Sequence, residues 1–197
     1  MLRPVGGDKE YFAVDKKQMK RLFIAIDLPD DVKTNLVGLG YGIPGARWVD
    51  EDQLHLTLRF IGEVEGGLFH DIAQGLSEVR QRPFFFSLQG LGHFPPRGQP
   101  RVLWVGVNCA DSLLQLRAKI DAVLRTIDVP LEKRKYAPHI TLARLKNAPH
   151  SRVANFIAGN NLYSSREIEV DSFHLYSSVL TSKGAIHTIE RSYDLKG

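Results

Sequence analysis

Two stretches, LHLTLRFI at residues 54–61 and HITLARL at 139–145, constrain the fold of this chain more than any other feature. In the first, Leu54, Leu56, Leu58 and Phe60 share one parity while His55, Thr57 and Arg59 share the other. That alternation is the signature of a strand with one face in a core and one face polar. The second stretch repeats the pattern 84 positions later, so His-aliphatic-Thr-Leu occurs twice, at His55–Leu58 and His139–Leu142. Each copy lies in a strand and presents an imidazole and a hydroxyl from one sheet face.

The segments around these strands fix the fold class. Residues 21–28 form an apolar, β-branched strand stopped by Pro29, and a short helix follows from Asp30 or Asp31 through Val32, Leu36 and Leu39. A second amphipathic helix carries Leu68, Ile72, Leu76 and Val79 and ends before Pro83. Strands are expected at 84–91 and 102–107, separated by a Gly/Pro-rich loop at 92–100. The clearest helix starts at Asp111, with an apolar stripe of Leu113, Leu116, Ile120, Val123 and Ile127. A short helix near 151–157 and two strands, 168–180 and 185–195, joined by a turn at Ser182, Lys183 and Gly184, complete the chain. Strands and helices alternate too irregularly for a series of βαβ units, and adjacent strands with short turns imply antiparallel pairing. The expected class is α+β.

Composition narrows the function. Of 197 residues, 43% are hydrophobic and 24% charged, the balance of an ordinary globular chain, and residues 19–197 are expected to form one bilobal domain. No apolar run reaches the ~18 residues of a membrane span. Residues 1–18 mix acidic and basic side chains and read as a polar N-terminal extension without the apolar segment of a secretory signal. The single cysteine, Cys109, allows no intramolecular disulfide, and a cytoplasmic setting fits it. A net charge of +4 permits a nucleic-acid or phosphate ligand without demanding one.

If the two His-x-Thr strands lie side by side, two imidazoles and two hydroxyls converge on one cleft, an arrangement suited to a phosphoryl group. A histidine pKa near ~6.5 lets one ring be neutral and the other protonated, the condition for paired general base and general acid catalysis and for a bell-shaped pH profile. Each copy alone is more simply a half-exposed structural pair. The five other histidines, His70, His93, His150, His174 and His187, share no such context, and the repetition favours function. Metal binding is disfavoured, because there is no HExxH, no His/Cys ladder and no acidic residue inside either motif. No cofactor is called for: Gly-x-Ser-x-Gly and phosphate-loop patterns are absent, and Cys109 reads as a buried, inert thiol.

From Met19 to Gly197 the chain resembles the 2H phosphoesterase superfamily, which is named for paired His-x-Thr-x motifs. Within it the chain looks like the RNA 2′,3′-cyclic phosphodiesterase branch, the LigT-like enzymes also called 2′-5′ RNA ligases. The carrying stretches are RLFIAIDLP, HLTLRFIGEV, GLGHFPPRGQPRVLWVGV, YAPHITLARLK and FHLYSSVLTSKGAIHTIERSYDL. The resemblance implies two pseudo-symmetric lobes, each an antiparallel sheet with helices on its outer side, enclosing a central cleft. It implies opening of an RNA or nucleoside 2′,3′-cyclic phosphate to a 2′-phosphate by water, without metal or cofactor. His139 is then the proton acceptor, His55 the proton donor, and Thr57 and Thr141 the phosphate holders. The related ligation chemistry joins ends through a 2′-5′ bond without ATP. The pseudo-symmetric motifs themselves do not distinguish donor from acceptor.

The resemblance also assigns Phe60 and Arg144, five positions after each histidine, to stacking on a terminal base. Strict strand parity puts both on the face opposite the histidines unless the strands twist or end there, and a core role for Phe60 is the alternative. Arg59, which shares parity with His55, is a candidate phosphate ligand, with Ala143 as its counterpart. The cluster Lys133–Lys135 and the loop residues Arg97 and Arg101 are candidates for steering an RNA strand, or are a solvated face. The expected partners are RNA 3′ ends or nucleotides with a 2′,3′-cyclic phosphate, met by a monomer with no membrane. The alternatives are a phosphodiesterase for a small nucleotide, such as ADP-ribose cyclic phosphate or a 2′-5′ oligoadenylate, and an RNA-end-binding module without turnover.

Overall fold

A computed structural model describes residues 19–108, 111–132, 134–182 and 184–197. The N-terminal extension 1–18, Cys109, Lys133 and Lys183 lie outside the described residues. The elements in chain order are β1 (Lys20–Asp27), α1 (Asp30–Val37), β2 (Ala46–Trp48), a 3₁₀ turn (Glu51–Gln53), β3 (His55–Val64), α2 (Gly66–Leu76), β4 (Phe84–Phe94) and β5 (Val102–Asn108). They continue with α3 (Asp111–Thr126), β6 (His139–Leu145), α4 (His150–Gly159), β7 (Ile168–Val170), β8 (Ser172–Thr181) and β9 (Gly184–Asp194).

Every strand pair is antiparallel, in the order β7-β4-β5-β6-β3-β1-β8-β9, with β2 beside β6. The fold is α+β with two lobes, β3-β1-β8-β9 and β2-β6-β5-β4-β7. They meet where Leu56 pairs with Ile140, the one register pair between β3 and β6. These are the residues between His and Thr in the two motifs, so the pseudo-two-fold relation passes between the motifs.

The helix-facing side chains of both lobes share one apolar core, which includes Ile24, Leu56, Leu58 and Phe173 from one lobe and Leu88, Leu103, Ile140 and Leu142 from the other. Helices α2 and α3 pack on one another, and α3 also lies on β3 and β4. On the opposite, cleft face of β1 and β8 sits a separate small cluster of Phe23, Ala25 and Tyr176.

Three details depart from the sequence expectation. The expected strand 168–180 breaks at Asp171, so β7 pairs with β4 of one lobe while β8 pairs with β1 of the other. The expected loop from residue 92 begins only after Phe94, because Gly92, His93 and Phe94 remain paired to β5. Strand β2, too short to show a period, was not anticipated.

Candidate functional site

The two motifs lie against one another as the repeat requires. In the antiparallel register through Leu56 and Ile140, His55 and Thr57 of one lobe face the region of Thr141 and His139 of the other. Leu56 and Ile140 are wholly buried on the helix face, whereas all four His and Thr side chains are half-exposed on the cleft face.

Both rings are oriented in the same way. Nδ1 of His55 lies 2.8 Å from the Gln53 carbonyl, and Nδ1 of His139 lies 2.7 Å from the Ala137 carbonyl, two residues upstream in each case. A carbonyl only accepts, so Nδ1 carries the proton in both rings and Nε2 is left as the working nitrogen. Aromatic side chains wall each ring. Phe23 lies 4.9 Å from His55 between ring centroids, with Tyr176 at 6.0 Å. Phe94 lies 5.0 Å from His139, with Trp104 at 6.3 Å.

The surroundings make His55 a poor proton holder in the empty cleft. Burial, with the nearby His187 and Lys33 adding to it, holds its pKa down to about 4, against the opposing pull of the Gln53 carbonyl and Asp27. His187 and His174, on the same face, are also held below the ordinary histidine value by burial.

The parity problem at Phe60 and Arg144 is resolved by a pair of β-bulges. Across β1 and β3, Ala25 pairs with Thr57 but Ile24 pairs with Arg59, so Leu58 is an extra residue. Across β5 and β6, Trp104 pairs with Thr141 but Leu103 pairs with Ala143, so Leu142 is extra. The bulge falls at the same motif position in both lobes and inverts the parity beyond it. Phe60 therefore emerges on the cleft face, 61% exposed, with its ring 6.0 Å from Phe23. Arg144 is likewise exposed, between the buried Ala143 and Leu145.

The same inversion corrects the expectation for Arg59. It turns to the helix face, is 2% exposed, and meets Asp121 of α3 at 3.2 Å and Glu132 at 3.4 Å, with a hydrogen bond to the Pro130 carbonyl. Arg59 touches no part of the cleft. Its counterpart Ala143 is buried on the equivalent face. Around it, Arg117 Nε donates to the Leu58 carbonyl at the bulge over 3.1 Å, and the Tyr136 hydroxyl donates to the Thr57 carbonyl over 3.0 Å. The segment leading into His139 is thereby tied to the strand of His55.

His187 is the site residue that the sequence did not reveal. In the sheet ladder it pairs with Ser178, and Ser178 with Arg21, six residues from the Asp27 that pairs with His55. A flat sheet would separate the two histidines by about 20 Å along the strands. Their centroids are instead 5.4 Å apart, and His187 also meets Phe23 at 4.9 Å, so the β8–β9 hairpin arches over the cleft face. Nothing in local sequence encodes that curvature. The remaining candidates for strand steering that are described, Arg97, Arg101, Arg134 and Lys135, are exposed at the surface.

A hollow of about 370 Å³ beside α1, lined by Asp31, Val32, Asn35 and residues 163–166, contains no imidazole. Its charged groups, Asp31 and Arg166, are paired with each other at 2.7 Å. The cleft between the motifs is the candidate site. Among the described residues no group of three or more His, Cys, Asp or Glu is placed to hold a metal ion, and no helix is long and apolar enough to cross a membrane.

Two antiparallel lobes, each bringing one His-x-Thr strand to a shared cleft, define a two-lobed phosphoesterase fold. The model of LigT-like phosphoesterases matches the chain twice, at residues 26–104 and 105–187, one match for each motif. The protein belongs to this family, a branch of the 2H phosphoesterases. It is 33% identical over 177 residues to the RNA 2′,3′-cyclic phosphodiesterase of Archaeoglobus fulgidus, covering 88% of this chain and 99% of that one. It is 37% identical over 188 residues to the protein of the same description from Thermus thermophilus, covering 90% and 91%. Among solved structures it is similar to E. coli LigT complexed with 3′-AMP, with a TM-score of 0.72 and 26% identity, covering 91% of this chain and 100% of that one.

Proposed function

We propose that the protein hydrolyses RNA 2′,3′-cyclic phosphate ends to 2′-phosphates by two-histidine general acid and base catalysis, without a metal or cofactor. The observation that carries this reading is the matched pair of imidazoles, each with Nδ1–H on a carbonyl two residues upstream and Nε2 free on one cleft face. The relatives described as RNA 2′,3′-cyclic phosphodiesterases and the LigT neighbour holding 3′-AMP support the substrate class.

In this mechanism His139 Nε2 takes a proton from water as the water oxygen bonds to phosphorus. The bond from phosphorus to O3′ breaks, and His55 Nε2 gives its proton to O3′, leaving a 2′-phosphate and a free 3′-hydroxyl. Thr57 and Thr141 hydrogen-bond the non-bridging oxygens, where charge develops. The terminal base lies between Phe60 and the Arg144 guanidinium. Because His55 is neutral in the empty cleft, it acquires its proton together with the substrate, whose anionic phosphate offsets the burial that holds the ring neutral. With a 5′-hydroxyl in place of water, the same groups in the same roles join a 2′,3′-cyclic end to it: His139 takes the hydroxyl proton as the 5′ oxygen bonds to phosphorus, and O3′ leaves with the proton from His55. Residues 19–197 act as one bilobal unit.

The test is incubation of the purified protein, in EDTA, with a short RNA bearing a 2′,3′-cyclic phosphate, beside His55→Ala and His139→Ala. The expected result is conversion to the 2′-phosphate, with the rate reduced at least ~10²-fold in each variant. A substrate whose 3′ oxygen is replaced by sulfur needs no acid to leave, so it restores the rate of the variant lacking the donor, His55→Ala, and not that of His139→Ala. Wild-type-like turnover in both variants, or loss of activity in EDTA, refutes the mechanism. Rescue of His139→Ala instead would exchange the two roles.

A further inference from the structure

At the end of the cleft beyond Thr141, β2 runs beside β6 and sets Arg47 directly opposite Arg144. The neighbours of Arg47, Ala46 and Trp48, pack on the apolar core, so alternation sends Arg47 to the cleft face, as the bulge at Leu142 does Arg144. Like charges at directly opposed positions on one face of a sheet repel. Elsewhere Arg59, Arg117 and Arg166 each have a carboxylate partner, yet among the described residues neither Arg47 nor Arg144 has one within ion-pair distance. The Arg47 side chain is exposed at the sheet surface. A Cβ placed on Gly184 would lie 2.6 Å from its Nη2, so the side chain reaches across to the tip of the β8–β9 hairpin, whose His187 covers His55.

Two exposed arginines at directly opposed positions, neither with a carboxylate partner, are relieved by an anion, and the planar fork of arginine matches the two non-bridging oxygens of a phosphodiester. This anion is not the reacting phosphate. Arg144 stands three residues from Thr141, a separation of about 10 Å along an extended strand.

We infer that Arg47 binds the phosphodiester on the 5′ side of the terminal nucleotide, next to the base stacked on Arg144. The cleft therefore takes an RNA 3′ end of at least two nucleotides in preference to a nucleoside cyclic phosphate. This rests on the cyclic phosphodiesterase reading above and selects the RNA end over the small nucleotide within it.

The test compares kcat/KM for adenosine 2′,3′-cyclic phosphate with that for the adenosine dinucleotide ending in a 2′,3′-cyclic phosphate, in wild type, Arg47→Ala, Arg47→Glu and the exposed helix residue variant Arg152→Ala. The wild type prefers the dinucleotide. Arg47→Ala lowers that preference about ten-fold or more, as expected for loss of a charge-assisted hydrogen bond, and Arg47→Glu lowers it further. Arg152→Ala keeps the wild-type ratio. The salt dependence of dinucleotide turnover, plotted as log kcat/KM against log salt, becomes shallower by about one in Arg47→Ala. An unchanged ratio in Arg47→Ala, or a wild type without preference while both substrates are turned over, overturns this inference alone. A folded wild type that turns over neither substrate overturns the cyclic phosphodiesterase reading itself.

Discussion

Replacing Arg59 with Met separates two accounts of a residue four positions after the first motif histidine. If Arg59 bound phosphate, as strand parity suggested, its loss would cost about 10²–10³ in rate, the size seen for a lost donor to developing charge, with little change in stability. The structure gives the opposite result. The guanidinium is 2% exposed and lies 3.2 Å from Asp121 and 3.4 Å from Glu132. Removing one member of a buried ion pair strands its partner, at a cost of about 3–5 kcal/mol. Two features lower that figure. Arg117 stays within 3.8 Å of Asp121 and 3.9 Å of Glu132, and Glu132 is 30% exposed. The methionine also replaces most of the apolar stem. The expected loss is therefore about 2–3 kcal/mol, or roughly 4–12 °C in melting temperature for a chain of this size. Urea unfolding followed by circular dichroism measures the first, and hydrolysis of a 2′,3′-cyclic phosphate well below the melting temperature measures the second. Turnover should stay within about three-fold of wild type. A normal unfolding midpoint with a hundred-fold slower reaction would refute the placement of Arg59 behind the strand.

Phe60→Ala should raise KM for a cyclic nucleotide by roughly 5- to 150-fold, the equivalent of ~1–3 kcal/mol of stacking, while kcat changes less; an unchanged KM would remove Phe60 from the base site. The folded-state pKa of His55 lies near about 4, below its unfolded value of ~6.5, so the unfolded chain binds more protons between those values. Stability is fully present above the unfolded value and is lost as pH falls toward the folded one. Between pH 7.5 and pH 5 wild type should lose about 2 kcal/mol more than His55→Phe by urea unfolding at each pH, and parallel losses in the two proteins would contradict the burial argument. A Cβ on Gly92 would lie 2.3 Å from the Trp104 ring, so Gly92→Ala must displace the aromatic wall of His139. Lower turnover should accompany an altered near-ultraviolet tryptophan signal, and an unchanged signal would show that the ring had not moved.

The paired motifs, the faces of their strands up to the threonines and the antiparallel α+β class were all legible in the sequence. They rest on a local rule, since side chains alternate along a strand whatever the strand pairs with. The reading stopped at Leu58 and Leu142. A bulge is a property of two strands together, and a one-residue excess against the partner is invisible in either strand alone. It sent Phe60 and Arg144 into the cleft and took Arg59 out of it. His187 and Arg47 were beyond reach for a related reason, because each joins the site through curvature or pairing between segments far apart in the chain. The sequence by itself determined the chemistry available, two imidazoles and two hydroxyls on like strands. The tertiary structure alone decided which other groups surround them, because bulges and sheet curvature set those positions through contacts that no local pattern records.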